Sequence, residues 1–214
     1  MPSDDCALHP ADESVAWLLL LRHAPSTWNA ARRRQGWADP PLTAAAAVSV
    51  QHWAIPGCLH AAASSDLQRA WATAALIAAR AGWGPVATHR ALREQDQGAW
   101  TGLTKAQIAQ RWPGALRERP RRPLHGETVD AVWERVVAAL TRIGRQHAGR
   151  CTLVVTHHEV IRAVERTLGV DTAAVPHLAG RWLRVEPGLG ATPAGLTAGE
   201  PTVGRHVAAA GEPA

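Results

Sequence analysis

The 214-residue sequence predicts an α/β fold with a mostly parallel central sheet, on three observations. Residues 16–21 (AWLLLL) and 151–156 (CTLVVT) are continuously apolar, as expected of strands buried on both faces. Amphipathic helical patterns alternate with these and with shorter strand candidates. Both apolar runs end in histidine, at Arg22-His23 and at His157-His158.

The elements follow in order. Residues 1–14 are polar, carry Pro2 and Pro10, and read as a terminal arm. After the 16–21 strand, Thr43 can cap a helix that runs to about Trp53. A short strand is expected over 59–63. Ser65 or Asp66 can then cap a helix through Leu67, Ala70, Trp71, Ala74 and Ile77, which stops at Gly82. A strand at 86–89 comes next, and Thr104 opens a short helix that ends before Pro113. From Thr128 the residues Val129, Val132, Trp133, Val136, Val137, Leu140 and Ile143 follow the i, i+3, i+4, i+7 stripe of an amphipathic helix. The 151–156 strand leads into a helix over 159–168 that stops at Gly169, and a last strand is expected over 181–185. One domain over 15–186 accounts for these elements. Residues 187–214, rich in Gly, Pro and Ala, read as a tail or a loose edge strand.

Composition narrows the function classes. Hydrophobic residues make up 46% of the chain and charged residues 19%, which excludes general disorder. The ten Trp stand beside no Tyr and no Phe, and Lys105 is the only lysine among 23 basic residues, so residue bias discounts the raw arginine count. The charge of +5 would suit a phosphate-bearing partner or nucleic acid. Arginine is nevertheless scattered among Asp and Glu. The local clusters at 32–34 and 117–122 are expected to be solvated loop surface. Three cysteines, Cys6, Cys58 and Cys151, are an odd count in a chain that needs no staples, so no disulfide framework and a cytoplasmic location are expected. The 16–21 run is too short to span a bilayer, and Asp4, Asp5, Asp12 and Glu13 before it are unlike a signal peptide.

In open α/β sheets the ligand crevice lies outside the carboxyl ends of the strands. Two buried strands that end in histidine would deliver His23 and His157 to that edge together. A neutral imidazole nitrogen can accept a phosphoryl group, and an adjacent arginine such as Arg22 can hold phosphate oxygens while keeping the ring neutral. A metal site fits less well: the adjacent residues of His157-His158-Glu159 point in different directions, and neither HExxH nor CxxC is present.

The stretch RHAPSTWN (22–29) with QGWADPPLT (35–43) resembles the opening motif of the histidine phosphatase superfamily, the phosphoglycerate mutase-like proteins. The resemblance continues in order through SSDLQRA (64–70), Leu92-Arg93-Glu94 with Gly98 and Gly102, Gly126-Glu127-Thr128, and Val154 to His157 with Arg162 beyond. It spans roughly 17–185 and implies a three-layer α/β/α sandwich with a mostly parallel sheet. It further implies that His23 is the phosphorylated nucleophile, that Arg22, Arg69, Asn29 and His157 surround the phosphoryl group, and that Glu94 is the general acid and base. Gln35, Gly36, Gln97 and His158 are candidate substrate contacts. Ala24 and His158 stand where the family usually has glycine, and Gln97 where it commonly has an aromatic ring. His158 is therefore expected to narrow the pocket or touch the substrate.

The function this implies is hydrolysis of a small-molecule phosphomonoester without metal or other cofactor, by a monomer or homodimer with no nucleic-acid or membrane partner. The compact connection between Gly102 and Gly126 favours a phosphatase. The alternatives are a phosphoglycerate-type mutase, whose second phosphate the 117–122 cluster could grip, and a basic phosphate- or nucleic-acid-binding module on the same fold.

Overall fold

The computed structural model describes residues 13–117, 123–169, 174–186 and 196–198. Six strands form one sheet in the order β3-β2-β4-β1-β5-β6: β1 (Ala16–Arg22), β2 (Leu59–Ser64), β3 (Ala87–Thr88), β4 (Cys151–Thr156), β5 (Gly180–Val185) and β6 (Leu196–Ala198). The first four run parallel, whereas β5 is antiparallel to β1 and β6 to β5. The α/β fold with a mostly parallel sheet is therefore the one the sequence predicts.

The leucine run is explained by the two layers that cover the sheet. Successive strand side chains point to opposite faces. Leu18 and Leu20 enter a core with Val136, Leu140, Ile161 and Val164, from α5 (Val129–Gln146) and α6 (His158–Thr167). Leu19 and Leu21 enter another with Ala46, Val50, Ala70, Ala74 and Ile77, from α2 (Ala44–Gln51) and α3 (Gln68–Ala81). All four leucines are at most 2% exposed, so neither face of β1 tolerates the alternation of a half-buried strand.

Several boundaries differ from expectation for local reasons. Helix α3 starts at Gln68, and neither Ser65 nor Asp66 caps it. Ser65 Oγ accepts from Leu67 N, and Arg93 holds the Asp66 carboxylate with two bonds of 2.7 and 2.8 Å. The cap comes instead from Asp39, whose Oδ1 accepts from Gln68 N at 2.7 Å. Helix α2 ends before Trp53, whose indole is buried and donates to Leu178 O. The sequence reading omits α1 (Thr27–Ala30), a single turn closed by a Ser26–Asn29 capping box. Helix α4 (Lys105–Arg111) has a Thr104–Gln107 capping box. The expectation over 86–89 shrinks to two residues in β3. Cys58 is disulfide-bonded and Cys151 is buried in β4, so an odd count still leaves room for one bridge. The 1–12 arm, the basic residues 118–122 and most of 187–214 lie outside the described residues; β6 adds a short edge strand within that last stretch.

Candidate active site

The register of β1 on β4 builds the centre of the site. Arg22 pairs with Thr156, so the residues that follow them, His23 and His157, leave the sheet side by side. His23 N donates to Thr156 O at 3.0 Å, and the two rings meet edge to face with centroids 5.1 Å apart. Both are buried. His23 Nδ1 lies 2.7 Å from Ala24 O. A carbonyl oxygen only accepts, so Nδ1 carries the proton and Nε2 the lone pair. Burial, with the Arg69 and Arg22 charges, holds the His23 pKa well below the usual imidazole value, and burial does the same to His157. A neutral His23 with a free Nε2 is the form a nucleophile needs.

Arginines bracket these rings. Arg22 donates to Val175 O at 2.7 Å and to His177 Nε2 at 3.0 Å, while His177 Nδ1 donates to His23 O at 2.7 Å. Guanidinium never accepts, so His177 is the neutral Nδ1–H tautomer; burial and Arg22 push its pKa down to about 4. Arg69, in the first turn of α3, is fully buried and donates to Ala38 O and Gly36 O. Arg22 Nε, Arg69 Nε and both ring nitrogens of His157 are buried without a hydrogen-bond partner among the described residues. Buried polar atoms ordinarily have partners, and phosphoryl oxygens are acceptors suited to such a group of donors.

Glu94 comes from the loop after a 3₁₀ turn at Arg90–Leu92. Its Oε1 accepts from Gln95 N at 3.0 Å and from Glu159 N at 3.1 Å, at the start of α6. Burial and the nearby Glu159 raise its pKa above the usual carboxylate value, which suits a group that must carry and release a proton. The loop is held from outside by Arg135, which donates to the carbonyls of Ala91, Arg93 and Glu94 and grips Glu127 through two bonds of 2.7 and 2.8 Å. Glu127 also accepts from Asp96 N. The Gly126-Glu127-Thr128 block thus acts by holding the Glu94 loop.

A polar pocket of about 170 Å³ opens here, and Arg22, Asn29, Gln35, Gly36, Glu94, Gln97 and His158 line it. His23, Arg69 and His157 are buried next to that lining. The ten sequence-predicted residues therefore converge on one place. Asn29 Oδ1 accepts from Ser26 N and Ser26 Oγ, so its amide nitrogen is the atom left for a ligand. Gly36 is required: a Cβ there would lie 2.7 Å from Gln97 N, at a φ of +51°. His158 stands in the wall, its pKa lowered by burial.

Sequence reasoning omitted Arg33, Arg34 and Glu159, which also line the pocket. The expectation that 32–34 is solvated surface holds for Arg32 and Arg33, which are exposed although Arg33 also edges the pocket; it is corrected for Arg34, which is half-buried where pairing with Gly102 and Leu103 turns it into the pocket. It also omitted His177 and Arg135. No local signal marks those two, since His177 acts on residues more than 150 positions away and Arg135, besides Glu127 eight positions before it, acts on carbonyls more than 40 positions away. Among the described residues no group of three or more His, Cys, Asp or Glu side chains could hold a metal ion. None of the described helices is long and apolar enough to cross a membrane.

Comparison with known proteins places the chain by sequence and fold. The chain is 35% identical over 163 residues to phosphoglycerate mutase-like protein 4 of Arabidopsis thaliana, covering 72% of this chain and 71% of that one. It is 30% identical over 169 residues to phosphoserine phosphatase 1 of Hydrogenobacter thermophilus, covering 72% and 77%. Among solved structures, Bacillus stearothermophilus YhfR superposes with a TM-score of 0.72 at 27% identity, over 81% of this chain and 93% of that one. The sequence profile described as histidine phosphatase superfamily (branch 1) matches residues 18–182, and the chain belongs to that superfamily.

Proposed function

We propose that the protein hydrolyses a small-molecule phosphomonoester through a phosphohistidine on His23. The observation that carries the reading is the pinned His23 tautomer, with Nε2 unprotonated among the unpartnered donors of Arg22, Arg69 and His157. In the first step Nε2 bonds to phosphorus, the ester P–O bond breaks, and Glu94 gives its proton to the leaving oxygen. In the second, water attacks phosphorus, the N–P bond breaks, Glu94 takes the water proton, and inorganic phosphate leaves. Charge stabilisation falls to Arg22 and Arg69, so the steps ask for no metal ion.

Relatives named as phosphoserine phosphatases, one of them metal-independent, support hydrolysis, as does the solved glucosyl-3-phosphoglycerate phosphatase. A relative named 2,3-bisphosphoglycerate-dependent phosphoglycerate mutase, 34% identical, keeps isomerisation as the second reading. A phosphoglycerate separates them: free phosphate supports hydrolysis, and an isomerised phosphoglycerate supports mutase action. Rapid quenching during turnover should trap an acid-labile phosphoryl group on His23. His23→Ala should abolish both the adduct and phosphate release, and full activity in that variant excludes the mechanism. A chelator should leave the rate unchanged. The nucleic-acid-binding alternative predicts salt-sensitive binding without turnover. The cytoplasmic assignment rests on the odd cysteine count alone.

A further inference from the structure

We infer that Arg34, assisted by Arg33, forms a second anion-binding point in the pocket, so that the substrate is a phosphomonoester whose alcohol portion carries another anionic group. The inference rests on the phosphatase reading for its reacting end. The phosphoryl group there has its own donors in Arg22, Arg69, His157 and Asn29. Arg33 and Arg34 line the same pocket but come from a separate piece of chain, after α1.

That piece is built rather than loose. Arg34 N donates to Leu103 O at 2.9 Å, Gly102 N donates to Arg34 O at 2.8 Å, and Arg33 bridges Thr104. Arg33 Nη1 spends one donor on Gly102 O, at 2.6 Å. The Arg34 side chain is different: its Nε is buried with no hydrogen-bond partner, and neither arginine forms an ion pair with a carboxylate among the described residues. A desolvated guanidinium N–H without an acceptor is costly unless a ligand completes it. Carboxylate and phosphate both match the planar fork of arginine.

Binding to the His23→Ala protein, measured by titration calorimetry, tests this without turnover. The probes are glycerol 3-phosphate, with one anionic group; 3-phosphoglycerate, which adds a carboxylate; and 1,3-propanediol bisphosphate, which adds a phosphate. At least one added anion should tighten binding tenfold or more, as expected of a charge-assisted hydrogen bond, and the stronger arm identifies the second group. Arg34→Met should cut that gain to less than threefold and Arg34→Lys should keep an intermediate part, with thermal melts showing both variants folded. No gain in the parent protein, or a gain that survives Arg34→Met, overturns the subsite. The phosphatase reading fails separately. If the unmodified chain releases no phosphate and traps no phosphohistidine while the Arg34-dependent gain persists, the subsite stands and hydrolysis falls.

Discussion

His177 shows how one side chain can set up two others. Its imidazole accepts from Arg22 through Nε2 and donates to His23 O through Nδ1, so a single neutral tautomer ties the Arg22 guanidinium to the backbone of His23, the proposed nucleophile. It is a positioning residue. His177→Phe keeps a ring in that space and removes both bonds, leaving the Arg22 guanidinium with its bond to Val175 O but without the one that fixes Nη2. Misplacement on that scale costs on the order of 10–100-fold in kcat/KM. The expected result is a raised KM and a lowered kcat for phosphate release, with His177→Asn recovering part of both. Unchanged kinetics in His177→Phe would contradict the role. Sequence inspection finds His23 and His157 because each stands within two residues of the end of an apolar run. His177 follows a proline, and only the packed fold places it against His23.

At the scale of elements, the Glu94 loop depends on a clamp that its own sequence does not contain. Arg135, on α5, satisfies three loop carbonyls and holds Glu127 in a fork geometry. The pair is partly buried, with the Arg135 and Glu127 side chains 20% and 18% exposed. Removing one partner of a largely buried, hydrogen-bonded pair costs about 2–4 kcal/mol, less than the value for a dry interior. Arg135→Leu should therefore lower the urea midpoint and weaken turnover, because Glu94 loses its support. In a cycle with Glu127→Gln the two effects should be non-additive, and simple additivity would show that the clamp is not a unit. The amphipathic stripe makes α5 legible in sequence, yet it describes only the face turned to the sheet. Arg135 lies off that stripe and reads as an ordinary solvent-facing charge.

For the whole molecule, the same burial that prepares the site makes it sensitive to acid. His23, His157 and His177 all have pKa values held below that of an unfolded histidine. Between the folded and unfolded values the unfolded chain binds more protons. Their contribution is therefore complete above pH ~6.5 and is lost as pH falls toward the folded values, at up to about 1.4 kcal/mol per pH unit for each ring. Glu94 has the opposite sign: its raised pKa gives a contribution present below the unfolded carboxylate value and lost as pH rises through the folded one. From pH 7.5 to 5 the histidines should dominate, and urea midpoints should fall steadily below pH 6.5. His177→Phe should flatten that slope. A midpoint independent of pH over this range would show that these rings are not held neutral by folding.

The chain by itself determined the α/β class, the two buried strands and Arg22, His23, His157 and His158 at their ends, because continuous apolar runs and local spacing are properties of neighbouring residues; the other six site residues came only through the resemblance. It also carried the family resemblance, through short blocks kept in order. Tertiary structure decided what long-range pairing controls. The antiparallel entry of β5 beside β1 brings the 175–179 loop to the carboxyl edge, where Leu178 N donates to Arg22 O and Arg22 N to Ala179 O, and this is what places His177. Asp39 capping α3, Arg135 holding the Glu94 loop and Arg34 turned into the pocket arise the same way. Each joins residues far apart in sequence, and hydrogen-bonding capacity, unlike hydrophobicity, leaves no periodic trace of the partner it will find.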